Sequence, residues 1–533
     1  MAESRTVVQT RRKYLKYIGS AAAGVVVGAL GTYGAIYRPP PPPVVAPRPL
    51  ERYGGILKVV VDGEAPELDP QVSTLFIAQW VEEEMFEGLV KFGLDMTIAP
   101  ALAWRWQRID PKTFEFYLRD NVKFHNGRKM TSADVKYSFE RIKDPATGSP
   151  QNHFFQATID SIDTPDDYTV RLNLKAPTAS LLGYLGTWGP PFAIVCKENV
   201  EAGESKTKPI GTGPFKFKEW VKGDHITLTG FKDYWDPGLP YADELRFDFQ
   251  GESSVMVSML KARTVDQASP IFPTDIPAVD TSEVTNKVQP ISGYHWICVN
   301  TKVKPYDDVR VRQAIAHAID KTEVTQLVWY GLARPIDSPL MYFEPCYSPV
   351  KAPEYDPQKA KELLAEAGYP DGFSDTLTAV PITEDTKVAT VAAAQLERVG
   401  IRLKIETPEL STYVKIAIID KTFHVAQCGN TDPPEPDYIL SKFYETGGSL
   451  NMANYSNPEV DGLFKQAREE YDDVKRTDLY RRIQEIVLPD APYVWLENPP
   501  RIYAWWRDLQ GYTPHSDLSQ CFSTVWSPKL EGR

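Results

Sequence analysis

Residues 113–127 read Thr-Phe-Glu-Phe-Tyr-Leu-Arg-Asp-Asn-Val-Lys-Phe-His-Asn-Gly, and residues 131–145 read Thr-Ser-Ala-Asp-Val-Lys-Tyr-Ser-Phe-Glu-Arg-Ile-Lys-Asp-Pro. The first seven residues alternate between polar and apolar, which predicts a half-buried strand. Thr131 and Asp134 have the spacing of a capping box, with Asp in place of Glu. Behind this cap, an apolar stripe at helical spacing consists of Val135, Phe139 and Ile142. The stretch therefore predicts a strand followed by a capped amphipathic helix.

Similar patterns recur on both sides of this stretch. Strands are predicted at Ile56–Val61, Tyr168–Leu174, Ile226–Thr229, Leu245–Phe249, Trp296–Asn300, Arg402–Glu406 and His424–Gln427. Helices are predicted at Thr74–Leu89, with Gly88 near its end, and at Val309–Ile319, Lys359–Ala367, Val388–Val399 and Asp473–Val487. Because strands and helices interleave, the fold class is α/β, or mixed α+β, with more than one sheet.

Composition and charge narrow the class of protein. Of the 533 residues, 42% are hydrophobic and 24% are charged, which is typical of a globular protein and excludes bulk disorder or many membrane spans. The net charge is −12, and because residues 1–38 hold six Lys or Arg and one Glu, the remainder carries −17. A body this acidic is not expected to bind nucleic acid.

The first 51 residues have the pattern of an export or anchoring segment. Residues 1–16 contain Arg11 and Arg12 in a run that resembles a twin-arginine export signal, although any secretory route favours positive charge there. Residues 17–37 hold no charge and would form a helix of roughly 32 Å, enough to span a bilayer. We expect a cytoplasmic basic segment at 1–16, a membrane anchor or cleaved signal peptide at 17–37, and a stiff proline-rich linker at 38–51.

No catalytic or metal-binding constellation is recognisable in the sequence. Motifs of zinc peptidases, serine hydrolases and nucleotide-binding loops are missing, and the five cysteines have no metal-ligand spacing. His125 is interpreted as a structural residue that bonds local backbone, and Gly211–Pro214 as a turn that enters a strand. We therefore expect no enzyme activity, no metal and no cofactor, since a hydrolase would need a carboxylate pair or a nucleophile in a cleft.

The stretch from residue 99 to residue 145 resembles the signature region of extracellular solute-binding protein family 5. This family comprises oligopeptide and dipeptide receptors of ABC importers and includes receptors for nickel complexes and oligosaccharides. The resemblance continues in order through Gly211–Trp220, Asp307–Ile315, Tyr455–Gly462 and Ala491–Val494. It covers about residues 52–515, nearly the whole body.

The resemblance implies a two-lobed periplasmic-binding-protein-like fold of type II, in its large cluster C variety. Lobe I would comprise residues 52–300 and 496–533, with an inserted subdomain at 98–208, and lobe II would comprise residues 301–495. The crossings between the lobes would act as hinges. They are expected at Val299, Asn300, Leu496 and Glu497.

One strand end carries the implied ligand anchor. In peptide-binding family members a strand ends in Gly-Trp-x-x-Asp, whose Asp pairs with the ligand α-ammonium, and Cys428–Asp432 occupies this position here. Asp432 is then the implied anchor, Gly429 stands where the family has Trp and is expected to enlarge the site, and Asn430 lies between them. For a sugar ligand Asp432 would instead accept hydroxyl protons, and a structural alternative is that it caps the following turn.

Other ligand contacts are implied on both lobes. The resemblance places Thr74, Leu75 and Phe76 in a lobe I loop that faces the ligand backbone, although these residues also fit the start of a helix. It places Tyr413 beside a side-chain pocket, and a core position fits this tyrosine equally well.

The implied function is that of an extracytoplasmic receptor at the cell surface or in the periplasm. It would capture a small solute between its lobes and deliver it to an ABC permease and its ATPase subunits, as a monomer held at the membrane by its N-terminal segment. Asp432 favours peptides over oligosaccharides, and both stay open as ligands. A ligand-sensing receptor and a surface hydrolase are alternatives of a different class.

Overall fold

The structure is a computed structural model that describes residues 52–187 and 189–532. The basic segment with Arg11 and Arg12, the anchor at 17–37 and the linker at 38–51 lie outside the described residues. Within residues 52–187 and 189–532, no helix combines the length and the apolar character needed to cross a bilayer.

A seven-stranded sheet joins the two ends of the described chain. Its strands lie in the order Val284–Pro290, Pro500–Trp506, Gln267–Ala268, Ile56–Val61, Glu244–Phe249, His225–Gly230 and Phe215–Val221. The β-branched strand Ile56–Val61 is central and pairs in parallel with both of its neighbours. Because Pro500–Trp506 lies in the same sheet, the chain must return to it near its C-terminus.

A five-stranded sheet forms a second body. Its order is Ile401–Glu406, Phe373–Ala379, Val425–Thr431, Gly293–Val299 and Tyr493–Trp495. The strand Gly293–Val299 is buried along its whole length and separates two cores. Its even-numbered side chains, such as Trp296, pack into one core, and Ile297 and Val299 pack into the other.

A four-stranded sheet lies entirely within the 98–208 segment. Its order is Ala103–Asp110, Thr113–Leu118, Thr169–Leu174 and Ile159–Asp166. The helix Ser132–Lys143 packs on this sheet, and Thr131 and Asp134 form the predicted capping box, with the Thr131 amide 2.8 Å from the Asp134 carboxylate. Two short ladders pair Val90–Phe92 with Ile98–Pro100 and Arg334–Pro335 with Glu497–Asn498.

Helices pack on the sheets, and Pro436–Tyr444 is buried along almost its whole length. Besides Ser132–Lys143, the α-helices are Phe76–Glu82, Asn152–Thr158, Leu181–Leu185, Lys197–Glu201, Ser253–Lys261, Ile276–Val279, Val309–Ala318, Lys321–Trp329, Pro357–Glu366, Thr383–Glu397, Leu410–Tyr413, Pro436–Tyr444, Pro458–Glu469 and Asp473–Asp490. Single turns of 3-10 helix lie at Pro145–Thr147 and Pro273–Asp275, and a π-helix lies at Val414–Ile419.

The predicted α/β class with several sheets is confirmed, and each predicted strand or helix has a counterpart that differs mainly at its ends. The helix predicted over Thr74–Leu89 was wrong in length, because it runs only from Phe76 to Glu82. Beyond Glu82 the backbone turns to bond a distant segment, since Glu84 and Met85 carbonyls accept hydrogen bonds from residues 215 and 213. Gly88 therefore lies outside the helix that it was expected to end.

The turn Gly211–Pro214 packs against this irregular segment and leads into the strand Phe215–Val221, as predicted. A Cβ added to Gly213 would lie 2.6 Å from the Glu84 carbonyl oxygen, so only glycine fits. His125 also bonds this turn rather than local backbone: its Nε2 lies 3.0 Å from the Gly213 carbonyl, and its Nδ1 accepts from the Gly211 amide. Burial lowers the pKa of His125 to about 4, which keeps the ring neutral in this role.

We predict that Gly213→Ala lowers the free energy of unfolding by about 1–3 kcal/mol, because the new methyl meets backbone that cannot move aside. The matched control Gly251→Ala has nothing within 4 Å of its added Cβ and should change stability by less than about 0.5 kcal/mol. Urea unfolding followed by tryptophan fluorescence measures both values. Equal stability of the two variants would contradict the close approach.

Candidate functional site

The chain crosses between the seven-stranded and five-stranded sheets at two places. The first crossing is Ile291–Ser292, between the strands Val284–Pro290 and Gly293–Val299. The second lies between Trp495 and Pro500. Asn498 joins them, because its buried side-chain amide donates 2.6 Å hydrogen bonds to the carbonyls of both Ile291 and Gly293.

The four residues expected at hinges occupy different positions relative to these crossings. Leu496 and Glu497 lie in the second crossing. Val299 ends a strand inside the five-stranded sheet, and Asn300 follows it, with its side-chain amide donating to the carbonyls of Lys421 and Phe423. Residues 293–299, which the sequence assigned to lobe I, thus pair with strands of the second body.

A buried charge cluster surrounds the second crossing. His295 Nδ1 lies 2.8 Å from Glu497 Oε1, and its Nε2 lies 3.6 Å from Asp385 Oδ1. Trp329 Nε1 donates to the same Glu497 oxygen at 3.0 Å. Burial disfavours a charged ring, but Asp385 and Glu497 outweigh it and raise the pKa of His295 to about 9. His295 is therefore an imidazolium that holds two carboxylates together at neutral pH.

Gly429 does not enlarge the site, contrary to expectation. Gly429 and His295 are directly opposite in the antiparallel ladder, and a Cβ on Gly429 would overlap the imidazole and lie 3.1 Å from Asp385 Oδ1. The space that the missing aromatic side chain leaves is filled by His295. A glycine inside a predicted strand was the sequence signal for such a close approach.

Asp432 directly follows the strand Val425–Thr431, and its carboxylate has several hydrogen-bond partners. It is 2% exposed, and its carboxylate accepts hydrogen bonds from Lys442, from the Tyr294 hydroxyl and, at 3.1 Å, from Asn430 Nδ2. Lys442 is itself only 7% exposed. Burial raises the pKa of Asp432, and the neighbouring ammonium partly offsets this. Lys442 was not predicted from the sequence, because it lies on the helix Pro436–Tyr444 and belongs to no motif.

The remaining expected ligand residues are divided between surface and core. Thr74, Leu75 and Phe76 are exposed at the start of the helix Phe76–Glu82. Tyr413 is 1% exposed in the core, and its hydroxyl donates to the Gln427 carbonyl at 3.0 Å. The Tyr413 hydroxyl is therefore already hydrogen-bonded inside the protein.

The 98–208 segment touches the helical layer of the second body. Gly183 packs directly on Glu435, whose Cδ would lie 2.9 Å from an added Cβ, and Glu435 is held by an ion pair to the buried Arg476. The Ala179 amide donates to the Arg468 carbonyl at 2.7 Å. The two surfaces are thus in direct contact in this structure.

A cavity of about 400 Å³ lies elsewhere, between the end of the helix Phe76–Glu82 and residues 511–524. Its walls include Glu83, Glu84 and His515 and contain none of the expected ligand residues. Of the predicted site residues, Gly429 and Glu497 meet at His295, and Asp432 donates its amide to the Ser292 carbonyl in the first crossing.

The chain is similar to known proteins in both sequence and structure. Residues 97–451 match the family model of bacterial extracellular solute-binding proteins, family 5. The glutathione-binding protein GsiB of Pectobacterium atrosepticum is 28% identical over 85% of this chain and 90% of its own length. The periplasmic binding protein DppA from Helicobacter pylori, solved in complex with the peptide STSA, is 28% identical with a TM-score of 0.78 over 90% of this chain and 99% of that one.

A further structural relative is the periplasmic binding protein AgaA from A. tumefaciens R10, solved in complex with agropinic acid. It is 29% identical, with a TM-score of 0.77, and the match covers 90% of this chain and 99% of that one. These matches confirm the two-lobed periplasmic-binding-protein-like fold. The family is one of solute-binding proteins that work outside the cytoplasm. The chain therefore belongs to family 5 of the bacterial extracellular solute-binding proteins.

Proposed function

We propose that this protein captures short peptides between its lobes and delivers them to the permease of an ABC importer. Peptides are proposed as the ligand because one strand of the five-stranded sheet has an unpaired edge. In the five-stranded sheet, Phe373–Ala379 pairs with Val425–Thr431 only as far as Gln427. Within the part of the chain that the structure describes, residues 428–431 thus have a ladder partner on one side only.

An open strand edge suits a peptide ligand. Residues 428–431 are half-buried, and an extended peptide can add its backbone hydrogen bonds along such an edge. This mode of binding uses backbone groups that every peptide carries, and the peptide side chains lie in surroundings that can adapt to them. The peptide named in the DppA structure and the glutathione named for GsiB support the same ligand class.

We place the hinges at residues 291–292 and 496–499, because within residues 52–187 and 189–532 the chain passes between the two large sheets only there. Lobe I then comprises residues 52–291 and 500–532, and lobe II comprises residues 293–495. The Asn498 hydrogen bonds keep the hinges side by side, so that the lobes can rotate about them as about one axis.

Asp432 would take the ligand ammonium by exchange. Its carboxylate already holds the Lys442 ammonium, so an incoming α-ammonium must replace a charge-assisted bond of the same kind. Such exchange lowers the net gain from the anchor, since the protein gives up one buried pair to make another.

We expect glutathione or Ser-Thr-Ser-Ala to raise the melting temperature of the full-length chain by about 3 °C at 100 times its Kd. Thermal unfolding with peptide, agropinic acid and oligosaccharide pools measures this. A rise with oligosaccharides alone would overturn the peptide proposal.

Lys442→Met should strengthen binding of free-amine peptides about tenfold and leave N-acetylated peptides unaffected, because it removes the competing ammonium from Asp432. Isothermal titration measures both ligands. Lys321→Met is the matched control, since Lys321 pairs with Asp337 in another part of the chain. Equal affinity for both peptide forms in the wild type and in Lys442→Met would mean that Asp432 serves Lys442 alone.

Gly183→Ala should weaken ligand binding about tenfold without lowering the free energy of unfolding, because the methyl holds the lobes apart at Glu435. Gly462→Ala is the control: it lies in a helix with nothing within 4 Å of its added Cβ. Titration gives the affinities, and small-angle scattering should detect less compaction on ligand addition for Gly183→Ala. Normal compaction and affinity would contradict closure through this contact.

A further inference from the structure

Arg501 lies at the carboxyl ends of the parallel strands of the seven-stranded sheet, where ligands are expected to bind. Asp62 and Ser269 directly follow the parallel strands Ile56–Val61 and Gln267–Ala268, so both lie at the carboxyl ends of these strands. Arg501 is at the start of the antiparallel strand Pro500–Trp506 and therefore lies at the same end of the sheet. In open α/β sheets, ligands bind outside the carboxyl ends of parallel strands.

The Arg501 guanidinium is held in place but has an unused donor. Its central carbon stacks 4.2 Å from the centre of the Trp80 ring, and Nε donates to Ser269 Oγ at 3.3 Å. Nη2 lies 3.7 Å from the Asp62 carboxylate, too far for a hydrogen bond. This nitrogen is buried and has no hydrogen-bond partner among residues 52–187 and 189–532, although the side chain is 13% exposed.

A buried guanidinium N–H without an acceptor costs free energy, unless a ligand supplies the acceptor. The geometry of a guanidinium fits a carboxylate, which can accept two parallel hydrogen bonds from it. Stacking on Trp80 fixes the plane of the Arg501 guanidinium before the ligand binds, so little side-chain entropy is lost on binding.

Two partly exposed aromatic residues lie close along the chain to the groups that contact Arg501. Phe76 precedes Trp80 by one helical turn and is 37% exposed, and Phe272 follows Ser269 by three residues and is 42% exposed. Arg501 is also three residues beyond Asn498, so the guanidinium lies close to the hinge on the lobe I side.

We propose that Arg501 is the residue that binds a carboxylate of the ligand, with Trp80 as the platform that positions it. This inference rests on the proposed function, because it assigns the lobe I contact of the same captured solute. It also names the chemical class: the ligand carries a carboxylate that enters the cleft toward the seven-stranded sheet, opposite the strand edge at residues 428–431.

The test compares Ser-Thr-Ser-Ala with its C-terminal amide, and glutathione with its diamide, by titration into the full-length chain. The wild type should bind at least one acid tenfold or more tightly than its amide, because a charge-assisted pair is lost in the amide. Arg501→Gln should bind the acid and the amide alike. Arg501→Lys should give an intermediate ratio, since it keeps the charge and loses the fork.

Arg263→Gln is the matched control. Arg263 stacks 4.3 Å from the centre of the Trp506 ring at the far end of the same strand and pairs with Asp508. Its loss should leave the acid-to-amide ratio of the wild type unchanged. If Arg501 were only structural, Arg501→Gln would lower the melting temperature and likewise leave the ratio unchanged, which would overturn the proposal.

A second arm separates this proposal from the peptide assignment. If no peptide binds the wild type, the peptide function fails, and succinate and succinamide at equal ionic strength replace the peptides in thermal unfolding. Stabilisation by succinate that Arg501→Gln abolishes supports a carboxylate site on its own. No difference between succinate and succinamide in the wild type overturns it.

Discussion

The two hydrogen bonds from the Asn498 side-chain amide hold together the two crossings between the large sheets, and the arrangement of the lobes depends on these bonds. The strand Ile56–Val61 and the strand Pro500–Trp506 belong to one sheet, so the chain between them must leave that sheet and return. Asn498 fixes the two passages next to each other by donating to Ile291 and Gly293. Two adjacent crossings permit rotation of one body against the other and resist sliding, which is the mechanical requirement for closing on a solute.

Burial of charge near these crossings forces each ionic group to find a partner inside the protein. An unpaired buried charge costs several kcal/mol, so carboxylates that the sequence offers as free ligands become neutralised when the chain folds. Asp432 is paired with Lys442, and Glu497 and Asp385 share His295. Arg501 has a looser pair, because its Nη2 lies 3.7 Å from the Asp62 carboxylate and is buried without a hydrogen-bond partner in the described part of the chain. In the proposed function, a ligand would bind Asp432 only by displacing Lys442, whereas Arg501 offers it a free donor.

The sequence predicted what depends on neighbours along the chain and missed what depends on distant segments. The alternating run at 113–119 and the capping box at Thr131 specify their structure locally, and both were found. The helix after residue 74 was predicted too long because its end is set by hydrogen bonds to residues 213 and 215, which no local pattern reveals. The resemblance to a known family supplied the two-lobed fold, which composition and periodicity alone left open.

The candidate site was harder to predict for the same reason. The motif position of Asp432 was recognisable, but its partner Lys442 belongs to a helix with no motif of its own. His295 fills the space above Gly429 only because strand register places the two opposite each other. Register follows from the pairing of strands more than 100 residues apart, and a glycine in one strand signals a close approach without identifying the partner.

In the proposed function, the positions of the strand edge at residues 428–431 and of Arg501 would couple ligand binding to closure. The strand edge at residues 428–431 belongs to the five-stranded sheet, whereas Arg501 belongs to the seven-stranded sheet. A solute that touches only one of them gains the same free energy whether the lobes are open or closed, so it shifts no equilibrium. A solute that carries both an extended backbone and a carboxylate gains the second contact only on closure. In the proposed function, the contact of Gly183 with Glu435 would limit how far that closure proceeds, and the length of the solute would have to match the span between the strand edge and Arg501.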